Sequence, residues 1–263
     1  MCRHLGYLGD PVSVSELVLD PPHSLAVQSY APKDMRGGGR VNADGFGIGW
    51  FDAGSARARQ YRRALPIWQD AAFPELARTT TAVGVLAAVR NATAGMPIAD
   101  AACAPFTDGH WLFSLNGFVA GWPDSAVGLA AGVPHRDLLS MQVMTDATLL
   151  WTVLRQRLAG QDDPAAVLGG LVTDVLAAAP GSRLTTVLTD GQTLWATTVT
   201  HSLWSRHSAT GVLIASEPFD DDQAWQPIPD GRLVVADRGG VHCRPLSAIA
   251  DNTGSESHVH QRR

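Results

Sequence analysis

The feature that most constrains the fold of this chain is its start, where Cys2 stands just before the apolar run Leu5-Gly6-Tyr7-Leu8-Gly9. Apolar and small residues in such a run predict a buried strand, so the N-terminus should be held inside the fold. Most chain ends are poorly ordered, and a terminus held in the interior therefore suggests a role there. The start has neither the basic region nor the long apolar run of a secretion signal.

Cys2 can supply a complete catalytic unit. Its side chain is small, so Met1 should be removed during synthesis, which would leave a free α-amine and a thiol on one residue. The amine can take the thiol proton, as in enzymes with an N-terminal nucleophile. An ordinary α-amine has a pKa near ~8 and a thiol near ~8.5, so each needs only a small shift to work at neutral pH. A cysteine that merely happens to come second is the alternative, and for Cys2 alone it is the simpler interpretation.

Composition sets the class of protein. The 263 residues carry a net charge of −5, which does not suggest a nucleic-acid partner, and no apolar run is long enough to span a membrane. The three cysteines are odd in number and far apart, which indicates a cytoplasmic protein without a disulfide framework. We predict one domain over residues 2–250 and a disordered polar tail over residues 251–263. The sequence leaves a homo-oligomer possible.

The order of predicted elements is strands, then two central helices, then strands. The helices begin at Thr145-Asp146 and at Asp163-Pro164, where capping residues precede apolar faces of helical period. Predicted strands cover residues 45–51, 57–65, 82–89, 110–115, 184–189, 193–199, 212–215, 233–236 and 241–244. This order predicts an α+β fold in which two mostly antiparallel sheets pack together with helices outside.

Asn116-Gly117 directly follows a predicted buried strand. The asparagine amide and a glycine N–H could both point at an oxyanion that develops when a thiol attacks a carbonyl. The alternative is a tight turn, since Asn-Gly is a favoured turn pair. The large apolar neighbours Leu115 and Phe118 make a solvent-facing turn less favoured.

Two charged residues are candidates for gripping a substrate. Arg90 ends another apolar strand and could bind a carboxylate with its planar fork, although alone an ordinary surface arginine is the better interpretation. Asp146 stands at a helix start and could accept hydrogen bonds from an α-ammonium group. Its alternative role is a helix cap, and the two roles are compatible.

The sequence predicts no metal and no cofactor. The segment Arg36-Gly37-Gly38-Gly39-Arg40 lacks the lysine and hydroxyl residue of a P-loop and has no G-x-G-x-x-G spacing, so it predicts a flexible loop beside the site. The nine histidines show no H-E-x-x-H spacing.

Taken together, the motifs resemble a known family. Cys2, then Arg90-x-Ala92-Thr93-x-Gly95, then Asn116-Gly117, then Thr145-Asp146 resemble, in order and spacing, the class II glutamine amidotransferase domains. These are N-terminal nucleophile hydrolases with a four-layer α-β-β-α sandwich. The resemblance implies that fold over nearly the whole chain up to the tail.

The same resemblance implies roles. Cys2 would be the nucleophile, and Asn116 and Gly117 would form the oxyanion hole. Arg90, helped by Thr93, would bind the α-carboxylate of a glutamyl group, and Asp146 would bind its α-ammonium. The chain departs from many members at Ala94, where a histidine often stands.

Longer blocks resemble a narrower family, the amidohydrolases of ergothioneine biosynthesis, which remove the γ-glutamyl group from γ-glutamyl-hercynylcysteine sulfoxide. The blocks are Met1–Tyr7, Ser24-Leu25-x-x-Gln28-Ser29-Tyr30, residues 42–50 and Ala215-Ser216-Glu217-Pro218. An ammonia-supplying glutaminase that works with a separate synthase is the alternative enzyme, and a binding module without catalysis is the alternative outside enzymes.

The leaving group of that substrate carries a trimethylammonium, which aromatic faces favour. Among the eight tryptophans, Trp50, Trp111 and Trp122 lie beside the motif strands, although for any one of them a place in the core is the better interpretation.

Overall fold

A computed structural model describes residues 2–36, 41–160 and 163–246. Its strands are β1 (Arg3–Ser13), β2 (Phe46–Phe51), β3 (Ala58–Arg63), β4 (Thr81–Val89), β5 (Phe106–Thr107), β6 (Leu112–Phe118), β7 (Arg183–Thr189), β8 (Leu194–Thr198), β9 (Trp204–Ser208), β10 (Gly211–Ala215), β11 (Gln226–Pro227), β12 (Arg232–Asp237) and β13 (Gly240–Pro245). Its helices are α1 (Val14–Val18), α2 (Leu25–Gln28), α3 (Phe73–Thr79), α4 (Val127–Ala131), α5 (His135–Leu139), α6 (Asp146–Leu158) and α7 (Pro164–Ala178). The predicted tail and residues 37–40 of the glycine-rich loop lie outside the described residues.

The strands of the described ranges form two antiparallel sheets. The first has the order β11-β9-β10-β1-β4-β2-β3, and the second has the order β13-β12-β8-β7-β6-β5. The first strand of the chain therefore lies in the middle of its sheet, paired with β10 on one side and β4 on the other. This confirms the prediction that the N-terminus is held inside the fold.

Three apolar cores separate four layers. Alternate residues of a strand point to opposite faces, so Leu5 of β1 packs under α1 to α3, while Leu8 faces the second sheet. On the far side, α6 and α7 pack on the outer face of the second sheet. The arrangement is the α-β-β-α sandwich that the sequence predicted. Among the described helices, none combines the length and the apolar character needed to cross a bilayer.

Glycines in β2 let the sheets approach each other closely. A Cβ at Gly47 would collide with the carbonyl oxygen of Ala104, and a Cβ at Gly49 would collide with the side chain of Leu112. This confirms the interpretation of the alternating glycines as places where another part of the chain comes close.

One strand boundary was predicted wrongly, and it bears on the site. β6 extends to Phe118, so Asn116 and Gly117 lie inside the strand and pair with Thr185 and Leu184 of β7. They neither follow the strand nor form a turn. The short strands β5, β9 and β11 were also missed, because two to five polar or mixed residues give no clear period of two.

Candidate active site

A pocket opens at one end of the gap between the two sheets. Its lining includes five of the six predicted site residues, Cys2, Arg90, Thr93, Gly117 and Asp146. The empty volume is about 530 Å³, open solvent at the mouth included. Residues far apart in the sequence meet in this pocket because several strands begin or end at this end of the gap between the sheets.

Cys2 is the accessible thiol of the pocket. It immediately precedes β1 and is half-buried, with its Sγ 3.9 Å from the carbonyl oxygen of Asn91. Cys103 is fully buried nearby, and burial, opposed by the charges of Arg90 and Arg62, raises its pKa to about 11. Cys103 is therefore a protonated core thiol at neutral pH, and Cys2 is the better nucleophile.

Arg3, the residue after Cys2, is held by buried polar contacts, and sequence reasoning missed it. Arg3 is only 1% exposed, and its Nη1 lies 2.7 Å from Oε1 of the buried Glu217. Its Nη2 donates to the carbonyl oxygen of Asp34. Glu217 also bonds the ring of His23 at 2.6 Å and accepts from the backbone N–H groups of Lys33 and Asp34, each at 2.9 Å.

This carboxylate is stabilised in its charged form. Burial would raise the pKa of Glu217, but the hydrogen bond from His23, the charge of Arg3 and the backbone N–H groups together lower it. Glu217 thereby ties the start of β1 to the segment before α2 and to residues 33–34. The sequence signal was present, since Glu217 belongs to one of the blocks shared with the narrower family.

Arg90 and Asp146 both line the pocket, and the charge of Arg90 acts on Asp146. Arg90 follows β4 directly, and its Nη1 is buried without a hydrogen-bond partner in the described part of the chain. Asp146 is buried, and its two oxygens accept from the backbone N–H groups of Val119 at 2.9 Å and Ala147 at 2.8 Å. An arginine nitrogen with no internal partner is suited to an incoming anion.

The electrostatics of Asp146 reflect this geometry. Burial raises the pKa of Asp146, while the N–H groups of Val119 and Ala147 and the charge of Arg90 oppose the rise. The helix cap is Thr145, whose Oγ1 accepts from the backbone N–H of Thr148 at 3.1 Å. Asp146 is thus the first residue of α6 and not its N-cap, although its Oδ1 accepts from the first-turn N–H of Ala147.

The segment that carries Arg90 and Thr93 is held by Asp44, another residue that sequence reasoning missed. Asp44 Oδ2 accepts from the backbone N–H of Ala92 at 2.8 Å, and its own N–H donates to the carbonyl oxygen of Arg90 at 3.0 Å. The N–H of Arg90 donates to Gly45 at 2.7 Å. Thr93 is exposed and lines the pocket. Asp44 belongs to the block of residues 42–50 that resembles the narrower family, but no sequence pattern linked Asp44 to Arg90.

Asn116 and Gly117 lie side by side on β6, next to the pocket. Asn116 is 0% exposed, and both atoms of its amide lack a hydrogen-bond partner among the described residues. Gly117 lines the pocket with φ at +154°, and a Cβ there would collide with the carbonyl oxygen of Arg183. A side-chain amide and a backbone N–H are the kinds of donor from which oxyanion holes are built.

The tryptophans do not line this pocket. Trp50 is buried beneath the helices of the first sheet, and Trp111 and Trp122 pack against the core of the second. Phe106 is the aromatic residue of the lining, beside Leu115 and Met96. For these three tryptophans the core interpretation was therefore the right one. Within the described residues, no group of three or more His, Cys, Asp or Glu side chains is arranged to hold a metal ion.

Comparison with known proteins places this geometry in a family. The family model described as glutamine amidotransferases class-II matches residues 16–207. A Mycobacterium tuberculosis protein named gamma-glutamyl-hercynylcysteine sulfoxide hydrolase is 44% identical over 241 residues, which cover 92% of this chain and 95% of the relative. A Mycolicibacterium smegmatis protein of the same name is 41% identical over 246 residues, covering 94% of this chain and 100% of the relative.

A solved structure agrees on the fold. The glutamine aminotransferase class-II domain protein from Silicibacter pomeroyi superposes with a TM-score of 0.67 over 93% of this chain and 99% of its own. Its sequence identity is 22%, so the likeness concerns the fold alone.

Proposed function

Because this chain belongs to the class II glutamine amidotransferases, we propose that it hydrolyses the γ-glutamyl amide bond of γ-glutamyl-hercynylcysteine sulfoxide. The products are glutamate and hercynylcysteine sulfoxide, and the step belongs to ergothioneine biosynthesis. The relatives of that name match this chain over nearly their entire length. A cytoplasmic location follows from the same proposal, since free thiols such as Cys2 persist in a reducing compartment.

The observation that carries the proposal is the charge arrangement around the pocket. Arg90 offers a buried nitrogen without a partner among the described residues, and the carboxylate of Asp146 lies in the same pocket. A glutamyl group presents a carboxylate and an ammonium on one carbon, so it complements both side chains at once. Held there, its γ-carbonyl can extend toward Cys2, which lines the same pocket.

The reaction runs in two stages. Once Met1 is removed, the α-amine of Cys2 takes the thiol proton, and the thiolate attacks the γ-carbonyl carbon. The amide of Asn116 and the N–H of Gly117 stabilise the oxyanion, and loss of one such donor costs about 3–4 kcal/mol. The C–N bond then breaks as the protonated amine gives its proton to the leaving amine. Water finally attacks the γ-glutamyl thioester, frees glutamate and returns the proton to the thiol.

The alternative enzyme is a glutaminase that supplies ammonia to a synthase, and the two functions differ in the leaving group. Ammonia is small, whereas hercynylcysteine sulfoxide is large and can add binding energy away from the reacting carbon. The test is kcat/KM for γ-glutamyl-hercynylcysteine sulfoxide and for glutamine at one pH, with glutamate release measured for both. We expect the larger substrate to be cleaved far more efficiently, and equal or higher efficiency on glutamine would contradict the substrate assignment.

The N-terminal mechanism needs its own control. Intact-mass measurement should show a mature chain that begins at Cys2, because an acylated amine cannot act as the base. A form with residues added before Met1 should lose nearly all turnover, and full activity in a form that demonstrably keeps Met1 would contradict the mechanism.

A further inference from the structure

A polar contact joins the two sheets close to the pocket. His4 of β1 and Ser114 of β6 face each other across the gap, with His4 Nδ1 3.2 Å from Ser114 Oγ. Both residues are buried, at 0% and 1% exposure. Farther along the gap, the facing residues are apolar, among them Leu8, Leu112 and Val187. The contact is therefore a polar link near the pocket, whereas the layer farther along the gap is apolar.

The register of this link relates it to the chemistry. Cys2 precedes His4 by two positions, and Asn116 follows Ser114 by two. Alternate residues of an extended chain lie on the same face. Cys2 therefore shares a face with His4, and Asn116 shares a face with Ser114. Cys2 and Gly117, the neighbour of Asn116, line the same pocket, so the ends of the two strands meet there.

We propose that His4, held by Ser114, is a positioning residue that sets the separation between Cys2 and the oxyanion donors Asn116 and Gly117. The inference rests on the proposed function, in which Cys2 attacks and Asn116 and Gly117 stabilise the oxyanion. The nucleophile and the oxyanion hole belong to different sheets, so a contact between the sheets must fix their distance. His4 supplies that contact, and it is the residue of β1 nearest to Cys2 that lies on the same face.

The imidazole serves in its neutral form. Burial, reinforced by the neighbouring His201 and Arg3, lowers the pKa of His4 to about 3. The pKa of His201 is also lowered by burial, to about 4, with the charges of Arg183, Arg3 and Arg36 acting in the same direction. A neutral imidazole has one donor and one acceptor nitrogen, and the Ser114 hydroxyl can pair with either form. His4 therefore needs no charge for this role, and a neutral amide of the right reach can replace it.

His4 also borders a set of buried polar atoms. Its Nε2, the Nδ1 of His201 and both amide atoms of Asn116 have no partner among the described residues. Buried polar atoms in proteins nearly always find a partner, often an ordered water. With Ser114 donating to Nδ1, the proton of His4 lies on Nε2.

The test compares four variants of the full chain with the γ-glutamyl substrate. His4→Phe removes the link, Ser114→Ala removes it from the other side, and the double variant combines them. His4→Asn keeps a polar atom at the position of Nδ1 and should retain most of the turnover. We expect His4→Phe to lower kcat by about 10- to 100-fold with little change in KM, because a misplacement of about 1 Å can cost that much.

The double variant gives the sharper readout. If the two side chains act as one link, the double variant should be no slower than His4→Phe alone, whereas independent effects would multiply. The pH dependence of kcat/KM should keep its shape in every variant, since His4 does not exchange a proton. Matched substitutions at His207, whose ring contacts the carbonyl oxygen of Arg238 at 3.0 Å on β9, serve as the control.

Three results would overturn the inference: a folded His4→Phe variant with wild-type kcat, an increase confined to KM, or the loss of an inflexion from the pH profile. If His4→Phe does not fold, Ser114→Ala and His4→Asn still decide the question, because wild-type kcat in Ser114→Ala removes the link. Failure of the proposed function is distinguishable, because the wild-type chain would then cleave glutamine at least as efficiently as the γ-glutamyl substrate, or Cys2→Ala would keep its activity. An inactive Cys2→Ala beside a fully active His4→Phe would reject this inference alone.

Discussion

The glutamyl clamp gives the most quantitative prediction, through Arg90→Lys. Lysine keeps the positive charge but loses the planar fork that binds two carboxylate oxygens. In the free protein, Arg90 Nη1 makes no hydrogen bond within the described residues, so the substitution removes no internal contact of that nitrogen. The backbone of Arg90 stays bonded to Asp44 and Gly45 as before. We therefore expect little change in the free energy of unfolding.

The loss appears when substrate binds. A hydrogen bond to a charged group contributes about 1.5–3 kcal/mol, and each 1.36 kcal/mol is about tenfold in rate or affinity. Arg90→Lys should thus lower kcat/KM by roughly 10- to 150-fold. The glutamyl α-carboxylate does not react, so the contact is the same in the ground and transition states. Most of the loss should accordingly appear as a higher KM.

Steady-state kinetics with the γ-glutamyl substrate measures the effect, and thermal unfolding measures stability. Arg59→Lys is the matched control, since Arg59 is 65% exposed and bonds Asp52 at 2.8 Å on the edge strand β3. It should leave both quantities unchanged. A wild-type kcat/KM in Arg90→Lys, with the control also unchanged, would refute the assignment of Arg90 to the α-carboxylate.

Cys2→Ala should abolish turnover and leave thermal unfolding nearly unchanged, and measurable glutamate release would contradict the nucleophile assignment. Asp146→Ala should impair substrate capture and lower the free energy of unfolding by about 1–3 kcal/mol, because two buried N–H groups lose their acceptor; wild-type kinetics would reduce Asp146 to a structural role. Gly117→Ala should lower the free energy of unfolding by at least about 3 kcal/mol, because its Cβ would collide with the carbonyl oxygen of Arg183 at a φ of +154°; a normal melting curve would contradict the geometry of β6. Burial lowers the pKa of His4 from 6.5 to about 3, so between these values the unfolded chain binds the proton that the folded chain does not, and the free energy of unfolding should fall as the pH decreases through this window. Urea unfolding at about pH 7 and about pH 5 should show a smaller decrease for His4→Asn than for the wild type.

The sequence predicted the pocket well because its signals are local. Arg90 follows an apolar strand and Asp146 begins an amphipathic helix, and both features can be recognised within a few residues of each position. Cys2 was singled out by its place beside the initiator and by the buried strand that follows. The antiparallel pairing of β1 with β4 then brings Arg3 opposite Val89, which places the start of one strand beside the end of the other.

What the sequence did not predict depends on contacts between distant segments. Arg3 and Glu217 form an ion pair although more than two hundred positions separate them in the sequence. No local sequence pattern at either residue indicates this partner. Asn116 and Gly117 were placed after their strand because asparagine and glycine are poor strand formers and a favoured turn pair. The pairing with β7 overrides that preference, since Asn116 pairs with Thr185 and Gly117 with Leu184.

These long-range contacts meet a requirement of the proposed N-terminal nucleophile. A residue at the end of a chain has one covalent neighbour, so its position must be set by the contacts of the residues that follow. Here the backbone of His4 exchanges hydrogen bonds with Ser216 at 2.9 and 3.0 Å, and Arg3 is bound to Glu217 at 2.7 Å. A buried ion pair adds little net stability, yet breaking it by removing one partner costs about 3–5 kcal/mol. Such a pair therefore opposes displacement more strongly than it favours folding, and this is the property that a catalytic terminus requires.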